Sequence, residues 1–86
     1  MTHGEIIRQA RHWRGMTLET VAALTHGALS QGKLSKIELG DRGLKVHELL
    51  VIAAALDVPP ESLLTVDHWI RYAVDSAVAS VLGVAA

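Results

Sequence analysis

An all-α domain is what these 86 residues lead to, on three features of the sequence. Apolar residues recur at three- and four-residue spacing through most of the chain, the period of a helix with one buried side. No stretch sustains the alternate-residue pattern of a half-buried strand. The interior must also be aliphatic: half of the residues are hydrophobic, yet the aromatics are only Trp13, Trp69 and Tyr72, with no Phe. Leu, Ile, Val and Ala in such numbers suit packed helices, and they supply one small core without disulfides, since Cys is absent.

Gly, Pro and capping residues divide the chain into six segments. The first, Thr2 to Trp13, gathers Ile7, Ala10 and Arg11 on one side, and Gly15 stops it. Thr17 caps the second, "LETVAALT", whose stripe is Leu18, Val21, Ala22 and Leu24. Ser30 opens the third, with Leu29 and Leu34 at the two positions of a hydrophobic staple, and Gly40 suits its left-handed end. "LKVHELLVIAAALD" is the fourth and most apolar, expected at the centre of the core. "PPESLL" starts a short fifth helix, because proline is tolerated in a first turn. Asp67 is the expected cap of a sixth, on which Ile70, Ala73, Val74, Ala77, Val78 and Val81 form a wide apolar stripe.

Charge is divided along the chain. Residues 1–45 carry Arg8, Arg11, Arg14, Lys33, Lys36, Arg42 and Lys45 against Glu5, Glu19, Glu38 and Asp41, a balance of +3. Residues 46–86 carry Arg71 against Glu48, Asp57, Glu61, Asp67 and Asp75, a balance of −4. A net charge of −1 therefore leaves room for a positive surface on the first half.

Function enters through the second and third segments, a helix, a turn and a helix. The stretch Ile7 to Leu64 contains "RQARHWRGMTLETVA", "LSQGKLSKIELGDRG" and "HELLVIAAALDVPPESLL". Together these resemble the helix-turn-helix domain of phage repressors and Cro proteins, the XRE family, over about two thirds of the chain. The resemblance implies a five-helix repressor-like helix-turn-helix domain over residues 1–65, and the apolar spacing beyond it adds an extra C-terminal helix over 66–86. It also implies that the third helix lies in the major groove of double-stranded DNA. Groove dimensions agree, since an α-helix fits there with its first residues at the base edges.

On that basis Ser30, Gln31, Gly32, Lys33 and Lys36 are the candidate base readers, with Gln31 suited to an adenine edge and the lysines to guanine or phosphate. Thr17, His26, Ser35, Arg42 and Lys45 are the candidate phosphate contacts, which position a protein without reading sequence. Leu34 and Ile37 should face inward, and Arg11 should pair with an acidic group inside the domain. The chain departs from the family pattern in three ways. "THGA", Thr25 to Ala28, lengthens the turn by two residues; Gly32 stands where a base-reading side chain is usual; and Leu18 replaces a frequent Gln.

Other chemistries find little support. "SQGK" has Ser-x-x-Lys spacing but no partner motif, and His3, His12, His26, His47 and His68 show no metal-ligand spacing. No enzyme activity, metal or cofactor is expected. The start "MTHGEIIRQARHW" lacks the apolar run of a signal peptide, and "SAVASVLGVAA" is too short to span a bilayer. A cytoplasmic protein without membrane association is expected.

The family resemblance ends near Leu64, and the last helix is too apolar to stand in water. Ile6 and Trp13 would form an exposed patch on the first helix unless something covers them. Either the tail folds back, with Trp69, Ile70, Ala73, Val74, Ala77, Val78 and Val81 on its stripe, or it pairs with a second subunit. A homodimer on a palindromic operator is expected, because pairing doubles the contacts of a small domain. The expected function is a small transcriptional regulator, a phage or prophage Cro-like protein or repressor, controlled by its own concentration or a partner. The alternative is an antitoxin or other interaction module that engages a protein through the C-terminal helix.

Overall fold

The computed structural model describes residues 1–83. Five α-helices make up the fold: α1 (His3–Trp13), α2 (Leu18–Leu24), α3 (Gln31–Leu39), α4 (Val46–Leu56) and α5 (Val66–Val81). Pro60–Leu63 forms a 3-10 turn between the last two, and there is no strand among the described residues. The last three residues of the expected tail lie outside the described ones.

Hydroxyl side chains open four of the five helices. Thr2, Thr17, Ser30 and Thr65 each accept a hydrogen bond from the backbone N–H three residues on, at 3.1–3.2 Å. Each satisfies a donor that the first turn leaves unpaired. At α5 this corrects the expectation that Asp67 is the cap. Thr65 has the extended backbone a cap needs, which leaves Asp67 in the first turn, where its charge suits the helix dipole. The expected fifth helix is likewise only the 3-10 turn, because Pro59 and Pro60 supply no N–H to an α-helical ladder and only four residues follow before α5 is capped.

The core is aliphatic. Ile6, Ile7 and Ala10 of α1, Val21 of α2, Leu34 and Ile37 of α3, and Ile52, Ala53 and Leu56 of α4 are all buried. Side chains of the Leu and Ile type each contribute roughly 1.5–3 kcal/mol on burial. Ile6 is therefore part of the core itself. The contact between α1 and α3 is close: Gly4 lies against the carbonyls of Ile37 and Glu38, and a Cβ at Gly4 would sit 2.8 Å from the Glu38 oxygen. Only glycine lets the start of α1 meet the end of α3 at that separation.

All three aromatic residues of the chain meet at one place. Trp13, at the end of α1, stands edge-on to Trp69 (5.3 Å between centroids) and to Tyr72 (5.7 Å). Arg14 lies over the Trp13 ring and donates to the carbonyls of Leu56 and Asp57 and to the Tyr72 hydroxyl. One guanidinium thus ties α1, the end of α4 and α5 together, and occupies carbonyls that the last turn of α4 leaves open. The tail folds back on its own domain through Trp69, Tyr72 and Ala73. Its stripe is split, however. Ile70, Val74, Ala77, Val78 and Val81 face away and are exposed, because a helix lying on a small domain can bury only one side.

Candidate nucleic-acid interface

Helix α3 is held by one side and bare on the other. Leu34, Ile37 and Glu38 are buried, whereas Gln31, Gly32, Lys33 and Lys36 are exposed and Ser35 is half-buried. Spacing explains the division, since residues 34, 37 and 38 fall on one helical face. At the start of α3, Ser30 Oγ accepts from the Lys33 N–H at 3.2 Å, and Leu29 and Leu34 are both buried as a staple requires. Gly40 ends the helix at φ +80°, and the Asp41 N–H reaches back to the Lys36 carbonyl at 2.9 Å. The exposed face is polar and basic over its first two turns and ends in Leu39, which is 66% exposed.

The turn between α2 and α3 is ordered around one buried hydroxyl. Thr25 is buried; its Oγ1 lies 2.7 Å from the Ala22 carbonyl and 3.1 Å from the Leu29 carbonyl, and it accepts from the Leu29 N–H at 3.2 Å. His26 and Gly27 follow in left-handed conformation, with φ of +54° and +88°. Two such residues in succession reverse the chain while Thr25 closes the ring behind them. The imidazole of His26 is exposed at the tip. Thr25 escaped sequence reading because a threonine after a helix carries no sign of burial.

Among the candidate phosphate contacts, Thr17 is exposed at the start of α2 and Lys45 is exposed at the start of α4. Arg42 is engaged within the molecule. It donates to both carboxylate oxygens of Glu48, at 2.8 and 3.0 Å, and Glu48 also accepts from the Lys45 N–H at 3.0 Å. Hydrogen bonding from Arg42 holds the Glu48 carboxyl well below its ordinary range, at about 2, and raises the Arg42 guanidinium in turn. Arg11 is paired with Glu38, as its position on the inner side of α1 implies. These are the two ion pairs among the described residues, so Lys33, Lys36 and Lys45 carry uncompensated charge. Leu18, half-buried, packs against the core, which accounts for an apolar residue at that position. The signal for Glu48 was available in sequence: a carboxylate three residues after the last loop residue of an apolar helix is placed to take the loop N–H.

Among the described residues no helix is long and apolar enough to cross a membrane. A family model described as a helix-turn-helix domain matches residues 4–65. No curated protein matches the chain. The matched span runs from the glycine under α3 to the cap of α5 and takes in every element that fixes the bare face of α3. With a buried inner side, an ordered turn and an exposed basic outer face on its second helix, the chain belongs to the helix-turn-helix domain family of DNA-binding proteins.

Proposed function

We propose that the chain is a sequence-specific regulator of transcription, of the small phage or prophage Cro-like or repressor kind, that inserts α3 into the major groove of double-stranded DNA. The observation that carries this reading is the outer face of α3, where Gln31, Lys33 and Lys36 are exposed and unpaired beside Ser30 and Gly32. Gln31 offers a donor and an acceptor to an adenine edge, and a good bidentate contact is worth about 1–3 kcal/mol of discrimination. Thr17, His26, Ser35 and Lys45 supply phosphate contacts around it. Arg42 is a weaker phosphate partner than Lys45, because Glu48 already neutralises much of its charge. A single domain of this size makes few contacts, so two copies on a palindromic operator serve the function best.

Affinity for DNA flanking its own gene, titrated against salt, tests the proposal. A steep loss of affinity with salt is expected, and Gln31→Ala with Lys36→Ala should abolish preference for one fragment over unrelated DNA. Binding that is absent at low salt, or indifferent to both substitutions, overturns it.

A second reading draws on the outward stripe of α5, Ile70, Val74, Val78 and Val81. In that reading the helix engages a different protein, as an antitoxin does, and DNA binding is secondary. Stoichiometric co-purification of a neighbouring gene product, lost on Val74→Asp, would favour it.

A further inference from the structure

We propose that Arg8 of α1 and Ser35 of α3 together seat one backbone phosphate of the bound DNA, so that the first helix takes part in the interface. This seat rests on the DNA-binding reading and names the contact that sets how α3 lies along the groove.

Helical period places Arg8 beside α3. Gly4 stands four residues before it and Arg11 three residues after it, on the same flank of α1. Both meet the last turn of α3, Gly4 against the Ile37 and Glu38 carbonyls and Arg11 against the Glu38 carboxylate. Arg8 lies one step outward on that flank and is exposed. With Arg11, Leu18, Ser35, Glu38 and Leu39 it lines a cleft of about 170 Å³ between the first three helices. Ser35 and Leu39 follow Gln31 at four-residue intervals, so the cleft opens along the edge of α3 that Gln31 begins.

The charges in this cleft call for an anion. Glu38 is matched by Arg11, whose remaining terminal nitrogen donates to the Met16 carbonyl. Glu5, one turn before Arg8, accepts from the Thr2 hydroxyl. Arg8 belongs to neither of the two ion pairs among the described residues, so its charge is not cancelled within the cleft. Size narrows the choice of anion. A drug-sized ligand needs roughly 300 Å³ or more, whereas a single phosphate group needs much less. The guanidinium offers paired donors to two phosphate oxygens, and the Ser35 hydroxyl offers a third. Leu39, 66% exposed in the free chain, is then covered by the adjoining deoxyribose. A phosphate gripped from two helices at once fixes the angle of α3 against the DNA backbone and reads no base.

Affinity of the full chain for its preferred DNA fragment and for unrelated DNA, followed by fluorescence anisotropy against salt, tests the proposal. Arg8→Ala should weaken both about five- to tenfold and leave their ratio unchanged, and the slope of log affinity on log salt should become shallower by about 0.9. Arg8→Lys should keep the slope and lose part of the affinity, because an ammonium cannot make the paired contact. Replacing the phosphates one at a time by neutral methylphosphonates should reveal a position that weakens the parent and Ser35→Ala, and that no longer matters to Arg8→Ala. Circular dichroism and the urea midpoint of Arg8→Ala should match the parent, since the side chain is exposed. If Arg8→Ala keeps the parent's affinity and slope, if it loses preference between fragments, or if no methylphosphonate position depends on Arg8, the seat is overturned while the parent's own binding leaves the DNA reading standing. A parent that binds no DNA at low salt overturns both.

Discussion

Arg11 and Glu38 clasp one another through two hydrogen bonds, Nε to Oε2 at 2.8 Å and Nη2 to Oε1 at 2.9 Å, across 27 residues of sequence. The remaining terminal nitrogen of Arg11 donates to the Met16 carbonyl at 3.0 Å. Both side chains are nearly buried, so the pair fixes the last turn of α3 against α1 and against the chain entering α2. Removing one partner leaves a charge without its counterpart in the interior. Glu38→Ala should therefore lower stability by about 3 kcal/mol, measured by urea denaturation. Replacing both, as Arg11→Met with Glu38→Leu, should recover most of that loss. A Glu38→Ala protein as stable as its parent would mean that the clasp does not hold α3.

Gly32 makes the opposite test, of a residue the fold does not need. It lies in the first turn of α3, is exposed, and a Cβ there meets nothing within 4 Å. Gly32→Ala should raise stability by roughly 0.5–1 kcal/mol, because alanine restricts the unfolded chain and favours the helix. On the proposed DNA-binding reading affinity should fall, since a bare backbone at this position would let α3 approach the groove closely. A variant that is more stable and binds as well as its parent removes that role from Gly32.

The division of α5 into an inner and an outer face predicts two different outcomes. Trp69→Ala should destabilise the domain by about 3 kcal/mol in thermal or chemical unfolding, as expected for a buried tryptophan. Val74→Asp should alter the stability of a single copy by no more than about 0.5 kcal/mol, because it is exposed. Removing everything after Thr65 should behave like the tryptophan change and not like the valine change. Equal effects from Trp69→Ala and Val74→Asp would contradict the packing.

Acid stability should report on Glu48. The folded chain holds this carboxylate ionised down to about pH 2, whereas its ordinary value is 4.5. The unfolded chain therefore takes up the proton first, and the contribution of Glu48 is complete above about pH 4.5 and lost as pH falls towards 2. Against Glu48→Gln, the native protein should show its largest stability advantage at neutral pH, narrowing through that window. An advantage independent of pH would assign the effect to the shape of the side chain and not to its charge.

The legible parts of this protein were those written locally. Thr17 and Ser30 announce their helices because a cap acts on the N–H three residues later, and Leu34 and Ile37 declare their burial through helical period. Thr65 was hidden behind Asp67, since both are good caps two residues apart and only the backbone angle at Thr65 decides between them. The partners of Arg11 and Arg14 were beyond reach for a different reason. A guanidinium can span to any carboxylate or carbonyl that the tertiary fold delivers, and Glu38, Leu56 and Asp57 lie 27, 42 and 43 residues away. The stripe on α5 was visible in full, but not its division, because period alone does not say how much of a helix a small domain can cover.

The turn at Thr25 to Ser30 separates two properties that are often run together, how long a connection is and how freely it moves. Its tip is a left-handed pair at His26 and Gly27, and Thr25 fastens the ends of the excursion to each other. Val21 before the turn and Leu34 after it still point into the same core. The connection between the helices is thus a fixed joint, one that carries an imidazole at its apex and leaves the joint's angle to the side chains beneath it.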